Sequence, residues 1–356
     1  MMSADEFVKK YLFLNTRRLM FVGLCAILVL VLIILNISVG LYDISFWDSY
    51  RVFIDHIMGV VPQTLEEIRE DRIIFGQRAP RAIAAACVGA TLAVSGAAMQ
   101  STLKNPLADP YTTGISSGAS MGVCVFVVLG ISIVPGLSYD LGMIVNAFLF
   151  ALIPAAAIIL FSRIFKASPT SVILIGIAIM YVFSACSSLI KLYADPDDLE
   201  VVYRWGLGNL GSANWDNLIY IASAGVISTV LMTIISRRLN ILSMNDESVM
   251  SLGMDPKKER ALVLMAVSLC TAMVVCFTGT IGFVGLVIPH IIRIFMGSNN
   301  TYLIPASAFA GAVFLLAADS VAKVAGTYDL PVGVITSIVG GPMFLYILIK
   351  QRRKTW

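Results

Sequence analysis

Between Arg81 and Lys104 the chain carries no charged residue. In a helix rising about 1.5 Å per residue, that stretch crosses the roughly 30 Å of hydrocarbon in a bilayer. It opens on Arg78-Ala-Pro-Arg81, a basic lip, and it closes on Asn105-Pro-Leu-Ala-Asp-Pro110. There two prolines, each lacking an N–H and restricting its predecessor, end the helix. A second segment rich in small residues then starts at Gly114. Similar uncharged stretches recur along the chain, and 58% of residues are hydrophobic while 13% are charged. A soluble domain has about 25% charged residues, so this chain has too little polar surface to cover a water-soluble globule. The sequence therefore predicts an all-α polytopic membrane protein.

Hydropathy divides it into about ten transmembrane helices, at roughly 19–39, 80–102, 112–133, 142–162, 170–190, 217–236, 261–279, 281–296, 303–322 and 331–349. The seventh and eighth abut at Gly279-Thr-Ile-Gly282. An even count puts both termini on one side, and a cytoplasmic N-terminus gives the inner segments most of the 25 basic residues. They include Lys9, Lys10, Arg17 and Arg18, Lys104, Arg163 and Lys166, Arg237 and Arg238, Lys257, Lys258 and Arg260, and Lys350 to Lys354. That bias is the positive-inside pattern. It gives a cytoplasmic segment 1–18, a single transmembrane domain 19–350, and a cytoplasmic tail 351–356. No small-residue cleavage site follows the first apolar run, so it is expected to stay as a helix.

Thr64-Leu-Glu-Glu67 in the long outer loop fits a capping box opening a short helix that leads to Arg78. The outer loop 191–216 carries an acidic patch and two tryptophans, Trp205 and Trp215, suited to a membrane interface. On the inner side, Arg237 to Arg260 contains Asn245, Asp246 and Glu247, which suit a helix start. Gly253 suits a left-handed helix end, and Asp255-Pro256 a cap and first position. Two short helices on a glycine turn, within 240–260, would make a cytoplasmic knob, read either as a plain connector or as a protein-docking element.

The six cysteines all lie in apolar segments without paired spacing and are expected as small core residues, with no metal site. No phosphate-binding G-x-x-x-x-G-K-[ST] loop and no H-E-x-x-H motif occurs. An intramembrane enzyme is thus poorly supported. Span centres lack the carboxylates and lysines that mark ion-coupled carriers, so a gradient-driven secondary transporter stays only as an alternative. Asp319 and Lys323, at the outer end of the ninth span, have the i, i+4 spacing of a local ion pair.

These stretches resemble the FecCD-type permeases of type II ABC importers for iron-siderophore, heme and cobalamin. The resemblance runs from about Arg78 to Lys350. It is carried by RAPR (78–81), GATLAVSGAAMQ (89–100), NPLADP (105–110), GISSGAS (114–120), ESVMSLG (247–253), GTIGFVGLVIPHIIR (279–293), AADSVAK (317–323) and DLPVGVITSIVGGPMF (329–344). It implies a ten-helix fold like that of the cobalamin importer permease, in a prokaryotic cytoplasmic membrane. The implied partners are a second permease copy or homologue, two ABC ATPase subunits holding ATP and Mg, an extracytoplasmic substrate-binding protein, a metal-chelate substrate and membrane lipid, with no nucleic acid. The chain itself would bind no cofactor and catalyse nothing. An iron-siderophore is the expected cargo, with heme or cobalamin as alternatives.

The resemblance also implies residue roles. Arg78, Arg81 and Lys323 would dock the binding protein as an exposed basic rim, each pair contributing about 0–1 kcal/mol. The family more often has arginine at Lys323 and glutamate at Asp329, and lysine lacks the planar fork of arginine. Asn105, Pro106 and Leu107 would form the cytoplasmic gate, with Ser168 to Thr170 a weaker second element. Glu247, Ser248, Leu252 and Gly253 would couple to the ATPase. His290 and Arg293, after Pro289, are expected as a kink and a cytoplasmic-end anchor.

Overall fold

The computed structural model describes residues 4–164, 168–326 and 329–352, and there the chain is helical. Lys166, Lys354 and the tail positions 353–356 lie outside the described residues, as do residues 1–3. The helices are α1 (Ala4–Ser38), α2 (Phe46–Ile57), α3 (Leu65–Ile73), α4 (Ala79–Thr102), α5 (Ile115–Val127), α6 (Tyr139–Ile164), α7 (Pro169–Lys191), α8 (Pro196–Gly206), α9 (Trp215–Ile234), α10 (Ser236–Leu242), α11 (Asp246–Ser251), α12 (Pro256–Thr278), α13 (Val284–Met296), α14 (Asn300–Val324) and α15 (Val332–Arg352).

Every expected span falls on a helix, but not every helix is a full span. Among the described residues seven helical stretches are long and apolar enough to cross a membrane: those of α1, α4, α6, α7, α9, α12 and α14. Helices α5 and α13 have 13 residues each, about 20 Å of rise. The apolar part of α15, Val332 to Ile347, is short as well. Hydropathy overcounted their length because it cannot tell an apolar helix from apolar irregular chain. Segments 128–133 and 279–283 are greasy yet not helical. The break at 279–283 also separates α12 from α13 as distinct helices.

At the N-terminus, residues before 19 continue the first helix back to Ala4. Lysine and arginine are good helix formers, so the charge boundary of the span is no helix boundary.

Helix α4 is the hub, packed by α14, α9, α13 and α12. Lipid tails are as apolar as side chains, so association inside a membrane depends on close packing of small residues. The sequence of α4 supplies them. A Cβ at Gly96 would lie 1.9 Å from the carbonyl oxygen of Gly285 on α13. One at Gly89 would lie 2.3 Å from that of Gly311 on α14. Both crossings therefore exclude any side chain. By contrast, α7 packs on α5 and α6 and leaves most of its surface uncovered. The six cysteines are free.

Outside the bundle, α2 and α3 form a hairpin. Thr64 and Glu67 make the expected capping box, and a wide π turn over Ile74–Arg78 carries α3 into α4. Trp215 fastens this hairpin to α9, donating from Nε1 to the Phe75 carbonyl at 2.8 Å while its ring stacks on Phe75.

Candidate functional site

At the end of α4 that carries the basic lip, the three predicted docking residues come together, but not as an exposed rim. Arg78, Arg81 and Lys323 are each about 95% buried within the chain. Arg78 folds back to donate to the carbonyls of Ser38 at 2.9 Å and Tyr42 at 2.6 Å. Arg81 donates from Nε to Asp319 Oδ1 at 2.8 Å and from Nη1 to Asp329. Lys323 pairs with Asp319 at 3.4 Å, the expected i, i+4 contact, and donates to Asn36 Oδ1 at 2.7 Å. Asn36 in turn donates to Asp319 Oδ2 at 3.1 Å.

The expectation of weak, solvent-exposed pairs is corrected by this arrangement. Basic groups at a membrane boundary, close to two carboxylates and to free helix-end carbonyls, gain more by pairing internally than by pointing outward. Sequence reasoning paired Asp319 only with Lys323 and missed Asn36. The signal for Asn36 was present, since it is a lone amide in the apolar run Ile33-Ile-Leu-Asn-Ile37. What remains open is a cleft of about 290 Å³ bordered by Tyr42, Gln77, Arg81, Lys323 and Asp329. Arg81 Nη2 is buried without a hydrogen-bond partner, and the Asp329 side chain is 42% exposed at the mouth.

At the other end of α4, the predicted gate is a tight turn. Lys104 adopts a left-handed conformation (φ 52°) that ends the helix. Asn105 Oδ1 accepts the amide of Leu107 at 2.8 Å, and the Ala108 amide bonds to the Asn105 carbonyl. That leaves Asn105 half-buried while Pro106 and Leu107 are exposed. Asp109 then caps the short turn into α5. Ser168 caps α7, accepting the Ser171 amide at 3.2 Å, and α7 packs on the short turn Pro110–Thr113 that follows Asn105 to Asp109.

Arg293 and Pro289 acquire a physical role. Proline has no N–H, so within α13 the carbonyl of Gly285 has no helical donor. Gln100 of α4 supplies one, with Nε2 at 3.2 Å from the oxygens of both Gly285 and Leu286. Arg293 donates to Gln100 Oε1. Pro289 and Arg293 thus both act through Gln100, which joins α4 to α13.

The knob has the expected caps. Asn245 accepts the Ser248 amide at 3.2 Å, Gly253 is left-handed (φ 80°), and Asp255 caps α12 ahead of Pro256. Val249 anchors it in the core, while Glu247, Met250, Leu252 and Gly253 are exposed and Ser248 is half-buried. Two large apolar side chains held outward on a turn of the polar connector suit a partner surface. Finally, a cleft of about 420 Å³ lies where the 279–283 break meets the ends of α8 and α15. Tyr111, Ser116, Thr280 and Ser337 give it small polar groups on apolar walls.

Known proteins resemble this chain over most of its length. It matches the FecCD transport family over residues 28–350. It is 39% identical over 281 residues to a probable iron chelatin transport system permease protein of Helicobacter pylori, covering 79% of this chain and 83% of that one. It is 30% identical over 334 residues to the molybdate import system permease protein MolB of Haemophilus influenzae, covering 93% and 95%. A solved structure of a putative metal-chelate type ABC transporter in an inward-facing conformation superposes with a TM-score of 0.79 at 29% identity, covering 92% of this chain and 98% of that one. With most of its length matched, the chain belongs to the FecCD transport family, the permeases of type II ABC importers.

Proposed function

We propose that this chain is the membrane subunit through which an ATP-driven importer carries a bulky metal chelate into the cytoplasm by alternating access, an iron-siderophore being the expected cargo. Heme and cobalamin are the other cargoes considered. The observation that carries the reading is the knob. Its exposed tip of Glu247, Met250, Leu252 and Gly253, with Ser248 beside them, has the shape and chemistry to seat in a groove of a separate ATPase. ATP and Mg belong to two such subunits, and ATP binding would favour whichever permease state fits the closed ATPase pair.

The remaining partners follow from other surfaces. A second copy, or a homologue, would cover the bare face of α7 and enclose a path that includes the cleft at Ser116, Thr280 and Ser337. Asn105, Pro106 and Leu107 would close that path on the cytoplasmic side. An extracytoplasmic binding protein would sit over the cleft beside Arg78, Arg81 and Lys323. There a carboxylate of the binding protein would have to displace the covering side chains to reach the unused Nη2 of Arg81. This orientation puts both termini in the cytoplasm of a prokaryotic cell, across its inner membrane. Selectivity then rests with the binding protein, because small and apolar groups discriminate poorly among large chelates.

The test is uptake of a radiolabelled ferric siderophore by vesicles holding the complete importer. The expected result is uptake that requires ATP and survives a protonophore. Uptake abolished by the protonophore and indifferent to ATP would overturn the reading. Gly253→Pro, which cannot adopt a left-handed φ, is expected to insert normally and hydrolyse ATP without importing.

A further inference from the structure

Lys104 turns the chain out of α4, and Asp246 is the first residue of α11. Their side chains meet, with Lys104 Nζ 2.8 Å from Asp246 Oδ1. The same oxygen accepts from Arg260 on α12. Arg260 is buried and fixed in the bundle, whereas the Asp246 and Lys104 side chains are partly exposed. One carboxylate thus joins three pieces of backbone: the cytoplasmic turn, the knob and the start of α12.

We propose that the Lys104–Asp246–Arg260 bridge is the strut through which movement of the knob reaches the turn at Asn105 to Leu107. The proposal rests on the coupling role given to the knob above. Helix α11 has only six residues and packs on α10 and α12, so a partner gripping its tip can tilt it. Asp246 moves with that tilt. Lys104, held by the carboxylate, is pulled at its own backbone, one residue before Asn105, whose side chain organises the turn. No other ion pair among the described residues connects this turn to the knob. A partly exposed pair shifts an equilibrium by no more than about fivefold, too little to hold the fold together but enough to bias a turn with two arrangements.

Hydrogen exchange on the permease with its ATPase subunits, in lipid nanodiscs, provides the test, with and without ATP plus vanadate. In the unaltered complex the trapped nucleotide is expected to change exchange at the amides of residues 105–113. Lys104→Gln and Asp246→Asn should each shrink that change by about two- to fivefold, and the double variant should shrink it no further. Lys104→Arg should keep it. A full-sized response in Lys104→Gln, or additive losses in the double variant, would overturn the strut. A cysteine replacing Ser248 separates the two ideas. If it crosslinks to the ATPase while Lys104→Gln responds fully, the strut alone fails. Absence of any such crosslink removes the coupling role and the strut with it.

Discussion

Gln100 Nε2 lies 3.2 Å from the carbonyl oxygen of Gly285, the acceptor that Pro289 leaves without a helical donor. A proline inside a membrane helix is thus served by a side chain from the neighbouring helix, as the scarcity of water in hydrocarbon demands. The residue that serves it also receives Arg293. Gln100→Leu should therefore destabilise the protein by about 1–3 kcal/mol, the cost of leaving buried polar groups unmade. Thermal unfolding in detergent measures it. Adding Pro289→Ala restores a helical donor for Gly285 and should recover part of the loss, a non-additivity expected only if the two residues share that carbonyl.

Asp319 is fully buried and accepts from Arg81, Lys323 and Asn36. Asp319→Ala would leave two buried cations facing the single carboxylate of Asp329, at a cost of about 3–5 kcal/mol. Folded yield by fluorescence-detected size exclusion should fall accordingly. Asp319→Asn keeps the shape and acceptor but not the charge, and its yield should fall between those of the alanine variant and the parent.

A Cβ placed on Gly40 would stand 2.5 Å from Arg78 Nη2. The guanidinium cannot step aside without giving up the carbonyls of Ser38 and Tyr42. Gly40→Ala is expected to cost about 1–3 kcal/mol. A Cβ on Gly23, within α1, would have nothing within 4 Å. Gly23→Ala should be neutral, or stabilising by up to about 1 kcal/mol through helix propensity. Melting temperatures of the pair separate steric exclusion at Arg78 from a general intolerance of alanine.

The hydrogen bond from Arg260, and after it the one from Lys104, holds the Asp246 carboxyl below the usual carboxylate range, against a desolvation effect that raises it. A carboxyl lowered in the folded state stabilises it above its unfolded value, about 3.9, and ceases to do so as pH falls through the lower folded value. The stability gap between the parent and Asp246→Asn should accordingly be constant near neutral pH and close only below about pH 4. A gap that shrinks between about pH 7 and 5 would contradict that origin.

Local features of the chain are legible in its sequence. The caps at Thr64, Asn245 and Asp255, the left-handed end at Gly253 and the Asp319 to Lys323 pair depend on residues a few positions apart, and each is present. Apolar stretches likewise locate the helices. Their lengths are less legible, since apolar runs such as 128–133 continue past the helix ends. The basic lip shows the same limit in the site. Arg81 and Asp319 are 238 positions apart, and no local pattern announces that they meet.

The sequence by itself determined that the chain is helical and belongs in a membrane, because hydropathy, proline breaks and basic-residue bias act through single residues and their near neighbours. It also located the turn after Lys104 and the capped knob around Gly253. Only the tertiary structure decided that Arg78, Arg81 and Lys323 face inward, that Gln100 completes α13, and that Asp246 ties the knob to the turn. Those outcomes depend on which helices cross at a distance small enough for buried charges and orphaned carbonyls to find partners, and that distance is set by glycines on α4 meeting glycines on α13 and α14.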